Sequence, residues 1–345
     1  MTSARPRVTV CIPTFNRSND LEKTLTSLRD QSYENYEVLV CNDASTDDTH
    51  ELLSSFQWNK LKVFHNEKNL NLYGTMERLF AAAGGTYVGM QHDHDLYEKN
   101  FLERMVDLLE QHPTAGFATC GYIIIDEEDR VVARPQSSEF RLFPASGLLP
   151  GEVLRRVLAT RVHTPIAAMG TMFRRDVLTT AGGYRADWRL ASDEDLYARV
   201  AAISDVAFTP DALFRTRVRP TDRHKILGSW EGLLTLSAFR RALLDEMHAD
   251  AILTRAMQQA ALSTRYLHSF TREALVWWSR GDVEQLRRAR ELAALANRPW
   301  RVSASQQLLL GVGIEALARS AGVGAWLGRL RQNHRDRKRG APLPL

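Results

Sequence analysis

Cysteine is scarce in this chain. Only Cys11, Cys41 and Cys120 occur among 345 residues, each inside an apolar run. None has the CxxC spacing of a zinc ribbon or redox pair, and three isolated thiols supply no disulfide framework. The expectation is buried, reduced thiols in a cytoplasmic protein. Long apolar runs are also missing. No stretch reaches the ~18 residues that a spanning helix needs, and residues 1–7 carry no apolar signal core, which argues against secretion. Charge of one sign is not in excess either: 45 Lys and Arg against 41 Asp and Glu leave a net +4, too little to mark a nucleic-acid binder. Finally, no GxGxxG or GxxxxGK[ST] follows the first strand-like run, so a nucleotide bound here would not sit on a dinucleotide fingerprint or a P-loop.

What is present is an ordinary globular composition, 44% apolar and 25% charged, in a chain long enough for one large domain or two smaller ones. Its most informative stretch is Met90-Gln91-His92-Asp93-His94-Asp95, after the β-like run Thr86 to Gly89. Two carboxylates one residue apart at the end of a buried strand are not there for packing, because ionised Asp is rarely buried unless it is paired or holds a metal. A hard cation, Mg²⁺ or Mn²⁺, takes one or two such carboxylates and completes its shell with water and a ligand's phosphates. An Asx-rich turn is the plainer alternative. Were residues 92–95 to continue the strand, His92 and His94 would face together, away from both Asp, which disfavours a four-ligand zinc site for hydrolysis.

The remaining chain alternates strand and helix. Val8 to Pro13 reads as a buried strand, followed by a helix from about Asn19 to Asp30 with Leu21, Leu25 and Leu28 on one face and Ser18 or Asn19 as cap. Tyr36 to Cys41 is a second strand and Leu61 to His65 a third. A helix from about Tyr73 to Ala83 should end in a left-handed cap at Gly84-Gly85. Phe101 to Glu110 is amphipathic, Gly116 to Ile125 and Val131 to Ala133 read as a hairpin, and 135–150 as a loop over the crevice. This order predicts right-handed βαβ crossovers and a doubly wound, mostly parallel α/β sheet. Ligands bind beyond the carboxyl ends of such strands, which gathers Pro13, Thr14, Phe15, Asp43, Asp93 and Asp95 around one crevice.

Taken together, these residues resemble the family 2 glycosyltransferases of GT-A fold. The resemblance covers roughly residues 7–225 and rests on four signatures in order: the opening run through Pro13-Thr14-Phe15-Asn16-Arg17, the Asn42 to Asp47 turn, the Asp-x-Asp, and Gly182-Gly183-Tyr184-Arg185 followed by Ser192 to Arg199. It implies an inverting transfer from a UDP-sugar to a saccharide or lipid-linked acceptor, assisted by Mg²⁺ or Mn²⁺. Asp43 would bind uracil, with Pro13, Thr14, Phe15 and Arg17 beside the nucleoside. Asp93 would face the ribose and its phosphate, and Asp95 would ligate the metal. Three positions depart from the family's usual pattern: Asn42, His94 and Glu77.

For the acceptor base, helical spacing places Asp193 on the face of Leu196, Tyr197 and Val200, and Asp195 opposite Arg199 as a solvent-facing ion pair. Asp193 also matches the family's catalytic carboxylate. Its alternative is an N-cap, and Glu194 and Asp195 are reserves. Arg215 and His224 are candidate diphosphate and metal contacts, whereas Arg217 and Arg219 read as solvated bases on a surface strand.

From about residue 226 the texture becomes Ala/Leu/Arg-rich and helical, an appendage outside the resemblance. Trp277-Trp278 is either an acceptor contact or helical core. The tail from Gln306 to Arg339 is amphipathic and ends in a basic cluster. It reads either as a solubilising segment or as a peripheral anchor on the inner leaflet, which would suit a lipid-linked acceptor in surface polysaccharide assembly. Two other functions are compatible with the crevice: a nucleotidyltransferase, which the glycine-poor Pro13 to Arg17 turn disfavours, and a non-catalytic binding protein.

Overall fold

In this computed structural model the described residues are 6–133, 145–160, 166, 168–185, 188, 191–218 and six between 239 and 247. The chain divides into two compact units, 1–158 with 163–223, and 159–162 with 224–345. In the second, Phe239, Leu243 and Met247 are buried at helical spacing. The other C-terminal expectations, Trp277-Trp278 and the basic tail among them, lie outside the described residues, as do Arg219 and His224. Among the described residues no helix is long and apolar enough to cross a membrane.

The first unit is a ten-stranded mixed sheet with the order β3-β2-β1-β4-β9-β6-β10-β5, β7 lying on β6 and β8 on β10. Its parallel half consists of β1 (Val8–Thr14), β2 (Tyr36–Asn42), β3 (Leu61–His65) and β4 (Tyr87–Met90). The β1 and β2 runs are buried on both faces, as a strand covered by helices on each side must be, and their Val, Ile and Leu content follows from that. Helices α1 (Ser18–Arg29), α2 (Thr49–Ser55) and α3 (Asn71–Ala82) make the crossovers, and Leu21, Leu25 and Leu28 are the buried stripe of α1. The other half is β5 (Leu96–Tyr97), β6 (Ala115–Ile125), β7 (Val131–Ala133), β8 (Gly147–Leu149), β9 (Thr171–Arg174) and β10 (Asp205–Arg217), with helices α4 (Phe101–Gln111), α5 (Gly151–Thr160), α6 (Arg175–Ala181) and α7 (Ser192–Ala201). Here β9 runs antiparallel to both β4 and β6 and separates them, whereas β10 returns parallel to β6.

Several local expectations are corrected. No side chain of its own caps α1. Instead Asp47, from the turn after β2, accepts the Ser18 N–H at 3.2 Å, so a carboxylate sits where the helix dipole favours one. Gly84-Gly85 does not adopt a left-handed cap, since Ala83 closes α3 with extended backbone. Gly85 is required for another reason: a Cβ there would stand 2.6 Å from the Thr9 backbone nitrogen, where β1 passes. The expected loop over 135–150 contains β8, which pairs antiparallel with Val206 to Phe208. Residues 134–144 are outside the described set. The three thiols are free and buried, as expected. Burial raises each, Cys41 to about 11, so none is a thiolate near neutrality.

Candidate active site

The carboxyl ends of β1, β2 and β4 form one edge, and the backbone shows how. Asp43 N–H donates to Thr14 O at 2.9 Å, and Gln91 N–H donates to Cys11 O at 3.0 Å. The residues that leave β2 and β4 are therefore both sewn onto β1, Gln91 at Cys11 and Asp43 at Thr14, nearer the strand's carboxyl end. Asp43 is buried, and its Oδ1 accepts from Asn66 Nδ2 at 2.7 Å and Leu70 N–H at 2.8 Å. The turn after β1 is tied to the turn after β2 by Asn16, which takes φ +54°, receives the Thr46 N–H at 2.7 Å and donates its own N–H to Ser45 Oγ at 3.0 Å. Phe15 is 45% exposed beside these turns and gives its N–H to Asp93 Oδ2 at 3.4 Å. Arg17 Nε lies 3.7 Å from Asp93 Oδ1. Thr14 Oγ1 is buried with no hydrogen-bond partner among the described residues, and Pro13 is half-buried in β1.

After Met90 the strand stops and the chain turns at Asp93 and His94. The turn overturns the expectation that both His face away from both Asp. His94 Nδ1 lies 3.0 Å from Asp93 Oδ1, His94 Nε2 lies 3.8 Å from Asp95 Oδ1, and His92 Nδ1 lies 3.6 Å from Asp95 Oδ2. The two imidazoles stack with centroids 5.1 Å apart. Strand alternation was the wrong period for a segment that is not a strand.

Asp95 is 1% exposed and held from several elements. Its Oδ1 accepts the Arg217 N–H of β10 at 2.9 Å, and its carbonyl accepts Thr24 Oγ1 of α1 at 2.9 Å and Gln91 Nε2 at 2.8 Å. Its Oδ2 has no hydrogen-bond partner among the described residues. Burial pushes this carboxyl up, but His92, His94 and the Arg217 N–H outweigh it, and the net shift is downward, so Asp95 is an anion. Burial likewise pushes His92 down, and Asp95, Asp193 and Asp93 together bring it net upward.

Arg217, read from sequence as a solvated surface base, is buried. Its Nε donates to His94 O at 3.1 Å, its Nη1 donates to Asp126 O at 2.9 Å, and its guanidinium pairs with Asp129 at 2.5 Å and approaches Asp20 to 3.6 Å. Arg215, the sequence candidate, pairs instead with Glu98 at 2.6 Å. The two arginines exchange places because β10 pairs antiparallel with β5, which sets Arg215 opposite Leu96 and carries Arg217 past it to the Asp-His-Asp turn.

Asp193 lies in the first turn of α7, on the side of buried Leu196, Tyr197 and Val200. It is not the cap: that position is Ala191, and Asp193 Oδ1 accepts the Tyr184 hydroxyl at 2.8 Å. The same hydroxyl touches Met90 Sδ at 3.1 Å. A tyrosine thus bridges the late carboxylate to the last residue of β4, the strand that delivers Asp93 and Asp95. Burial raises Asp193, partly offset by the Tyr184 hydrogen bond and the charge of His92. Glu194 is buried. Asp195 is also buried, not solvent-facing, and its Oδ2 takes Arg199 Nη2 at 2.7 Å. Arg199 continues to Gly183 O at 2.6 Å, fastening the segment in which Gly182 and Gly183 take φ +80° and +62°, values that favour glycine. That segment aims Tyr184, which also stacks on Phe80. Tyr184 and Arg217 were present in the sequence but carried no assigned contact. The signal that marks Tyr184 is its place directly after the glycine pair.

Residues 9–180 match the family described as Glycosyl transferase family 2. The chain is similar to EpsE of Bacillus subtilis (strain 168), named a glycosyltransferase, with 27% identity over 76% of this chain and 93% of the relative. It is similar to TuaG of the same organism, named a teichuronic acid biosynthesis glycosyltransferase, with 27% identity over 40% of this chain and 56% of that one. Among solved structures, that of S. aureus TarS 1-349 in complex with UDP-GlcNAc superposes with a TM-score of 0.60 at 15% identity, covering 98% of this chain and 93% of that one. At that identity it is the fold that is shared.

Proposed function

The chain belongs to glycosyl transferase family 2, and from that premise we propose an inverting enzyme that moves a sugar from a UDP-sugar to an acceptor hydroxyl in surface polysaccharide or glycolipid assembly. The observation that carries this reading is the Tyr184 hydroxyl, 2.8 Å from Asp193 and 3.1 Å from Met90, which links the late carboxylate to the last residue of β4, the strand that leads into Asp93 and Asp95. The relatives' names support the acceptor class, and the UDP-GlcNAc complex of the TarS fold supports the donor class.

In this reading uracil meets Asp43, whose carboxylate is oriented by Asn66 and the Leu70 N–H, while exposed Phe15 covers the nucleoside beside Pro13, Thr14 and Arg17. Asp93 accompanies the ribose. Asp95 fits a divalent cation such as Mg²⁺ or Mn²⁺, because it is buried, anionic and has an oxygen with no hydrogen bond among the described residues. Such an ion, when bound, offsets the charge gathering on the departing diphosphate.

Asp193 acts as the base. The acceptor hydroxyl is a poor nucleophile until a positioned group takes its proton, which is worth about 10²–10⁴-fold. Burial makes Asp193 a stronger base than an ordinary carboxylate, and Tyr184 holds one oxygen so that the other is presented to the acceptor. Attack from the side opposite the leaving group inverts the anomeric carbon. Docking of the basic tail on the inner leaflet belongs to the same proposal and is read by cosedimentation of the full chain with anionic vesicles.

The test is incubation of the purified full chain with Mn²⁺ and a panel of UDP- and GDP-sugars. The expected result is release of UDP from one UDP-sugar and, with acceptor, a product of inverted anomeric configuration by NMR. Turnover confined to a GDP-sugar overturns the donor assignment, and a retained configuration overturns the single-base mechanism.

A further inference from the structure

We propose that His92 and His94 ligate the cation together with Asp95, and that these two imidazoles make the site select a transition ion such as Mn²⁺, Co²⁺ or Zn²⁺ over Mg²⁺. The inference rests on the reading of Asp95 as a cation ligand and deepens it.

Three observations converge. First, one ligand atom each from His92, His94 and Asp95 lies within 4.8 Å of the other two. Those atoms come together because the chain turns at 93–94. Second, Asp95 is 1% exposed and its Oδ2 has no hydrogen-bond partner among the described residues, with His92 Nδ1 3.6 Å away. A buried carboxylate oxygen left in that state is costly unless something else satisfies it. Third, the His94 ring is oriented by a neighbouring carboxylate. Its Nδ1 stands 3.0 Å from Asp93 Oδ1, a partner to which an Nδ1 hydrogen would be donated. The other ring nitrogen, Nε2, faces Asp95 Oδ1 at 3.8 Å and would offer its lone pair there. A carboxylate behind one ring nitrogen with the other turned toward a shared site is the arrangement that orients metal-bound histidines. Asp93 thereby gains a second task, holding His94, and the histidine in the middle of the Asp-x-Asp becomes a contributor in its own right.

Selectivity follows from the donor set. Mg²⁺ favours carboxylates, carbonyls and water and sheds its waters reluctantly. Imidazole nitrogen favours later first-row ions, whose affinities rise from Mn²⁺ through Co²⁺. Two imidazoles beside one carboxylate therefore strengthen Co²⁺ binding and do little for Mg²⁺.

The experiment titrates the full chain, without any sugar donor, with Co²⁺ and with Mg²⁺ by calorimetry, comparing wild type with His92→Gln, His94→Gln and Asp95→Asn. Wild type should bind Co²⁺ at least about tenfold more tightly than Mg²⁺. Each His→Gln change should weaken Co²⁺ about 10–100-fold and Mg²⁺ less than about threefold, and Asp95→Asn should weaken both. Equal loss of both ions in the His variants, or unchanged Co²⁺ affinity, overturns the proposal. A measurement on wild type alone guards against misfolded variants: the spin-echo modulation of Mn²⁺-loaded protein should contain imidazole nitrogen couplings, and their absence overturns the proposal. Transferase activity is scored separately. Imidazole ligation without sugar transfer defeats only the enzymatic reading, and sugar transfer supported by Mg²⁺ without imidazole ligation defeats only this one.

Discussion

Asp95 and Asp193 are the same residue type at two ends of one polar cluster, and their surroundings drive them apart. Asp95 leaves β4 in a turn fastened by Gln91, by Thr24 of α1 and by Arg217 of β10, with two imidazoles beside it, and its carboxyl is lowered. Asp193 rests in the first turn of α7, on the side of Leu196 and Tyr197, where it accepts the Tyr184 hydroxyl, and burial raises it. Two carboxyls pushed in opposite directions mark a division of labour: one stays charged, and the other can take up a proton. The difference lies in the polar partners each can reach.

The variant expected to break this contrast most strongly is Asp193→Asn, which removes the base and leaves the shape. It should lower kcat by about 10²–10⁴-fold with the melting temperature little changed, measured by UDP release and calorimetry. Activity within threefold of wild type would assign the proton to another group. Next comes Arg217→Met. Because it strips a buried cation from Asp20 and Asp129 and frees the His94 carbonyl, it should reduce unfolding free energy by about 3–5 kcal/mol in urea titration.

A smaller effect should come from Tyr184→Phe. The hydroxyl lowers Asp193, so without it the carboxyl rises further and the acidic limb of the kcat/KM profile should move up by about one pH unit. An unmoved limb would mean that Tyr184 only packs. The smallest effect is on stability, and its sign differs between the two acids. Asp95, lowered in the fold, adds stability that is present above the unfolded carboxylate range of about 4 and lost as pH falls through its folded value. Asp193, raised in the fold, binds its proton more tightly when folded, so stability declines as pH rises from about 4 through its folded value. At neutral pH Asp95→Asn should therefore destabilise, whereas Asp193→Asn should be neutral or stabilising by up to about 1 kcal/mol. Both are read as denaturant midpoints at pH 7.

The parallel half of the sheet was legible because each unit is local. A β-branched run, a turn and an amphipathic helix follow one another, and the strand-end rule then positions Asp43, Asp93 and Asp95 without any long-range knowledge. The other half was less so. Strand β9 enters between β4 and β6, and β8 and β5 are two or three residues long, too short to carry a period. Arg215 and Arg217 could not be ranked from spacing, because their fate depends on β10 pairing with β5, more than a hundred residues earlier.

The sequence by itself determined the strand-helix order, the apolar faces of α1 and α7, and the residue types at each turn, since these follow from periods of two and 3.6 and from the steric habits of Pro, Gly and Asp. Tertiary structure alone decided which polar atoms meet: His94 with Asp93, Tyr184 with Asp193, Arg217 with the turn after β4. Hydrogen bonds and ion pairs act over about 3–4 Å, and residues distant along the chain come within that range only once the sheet has assembled.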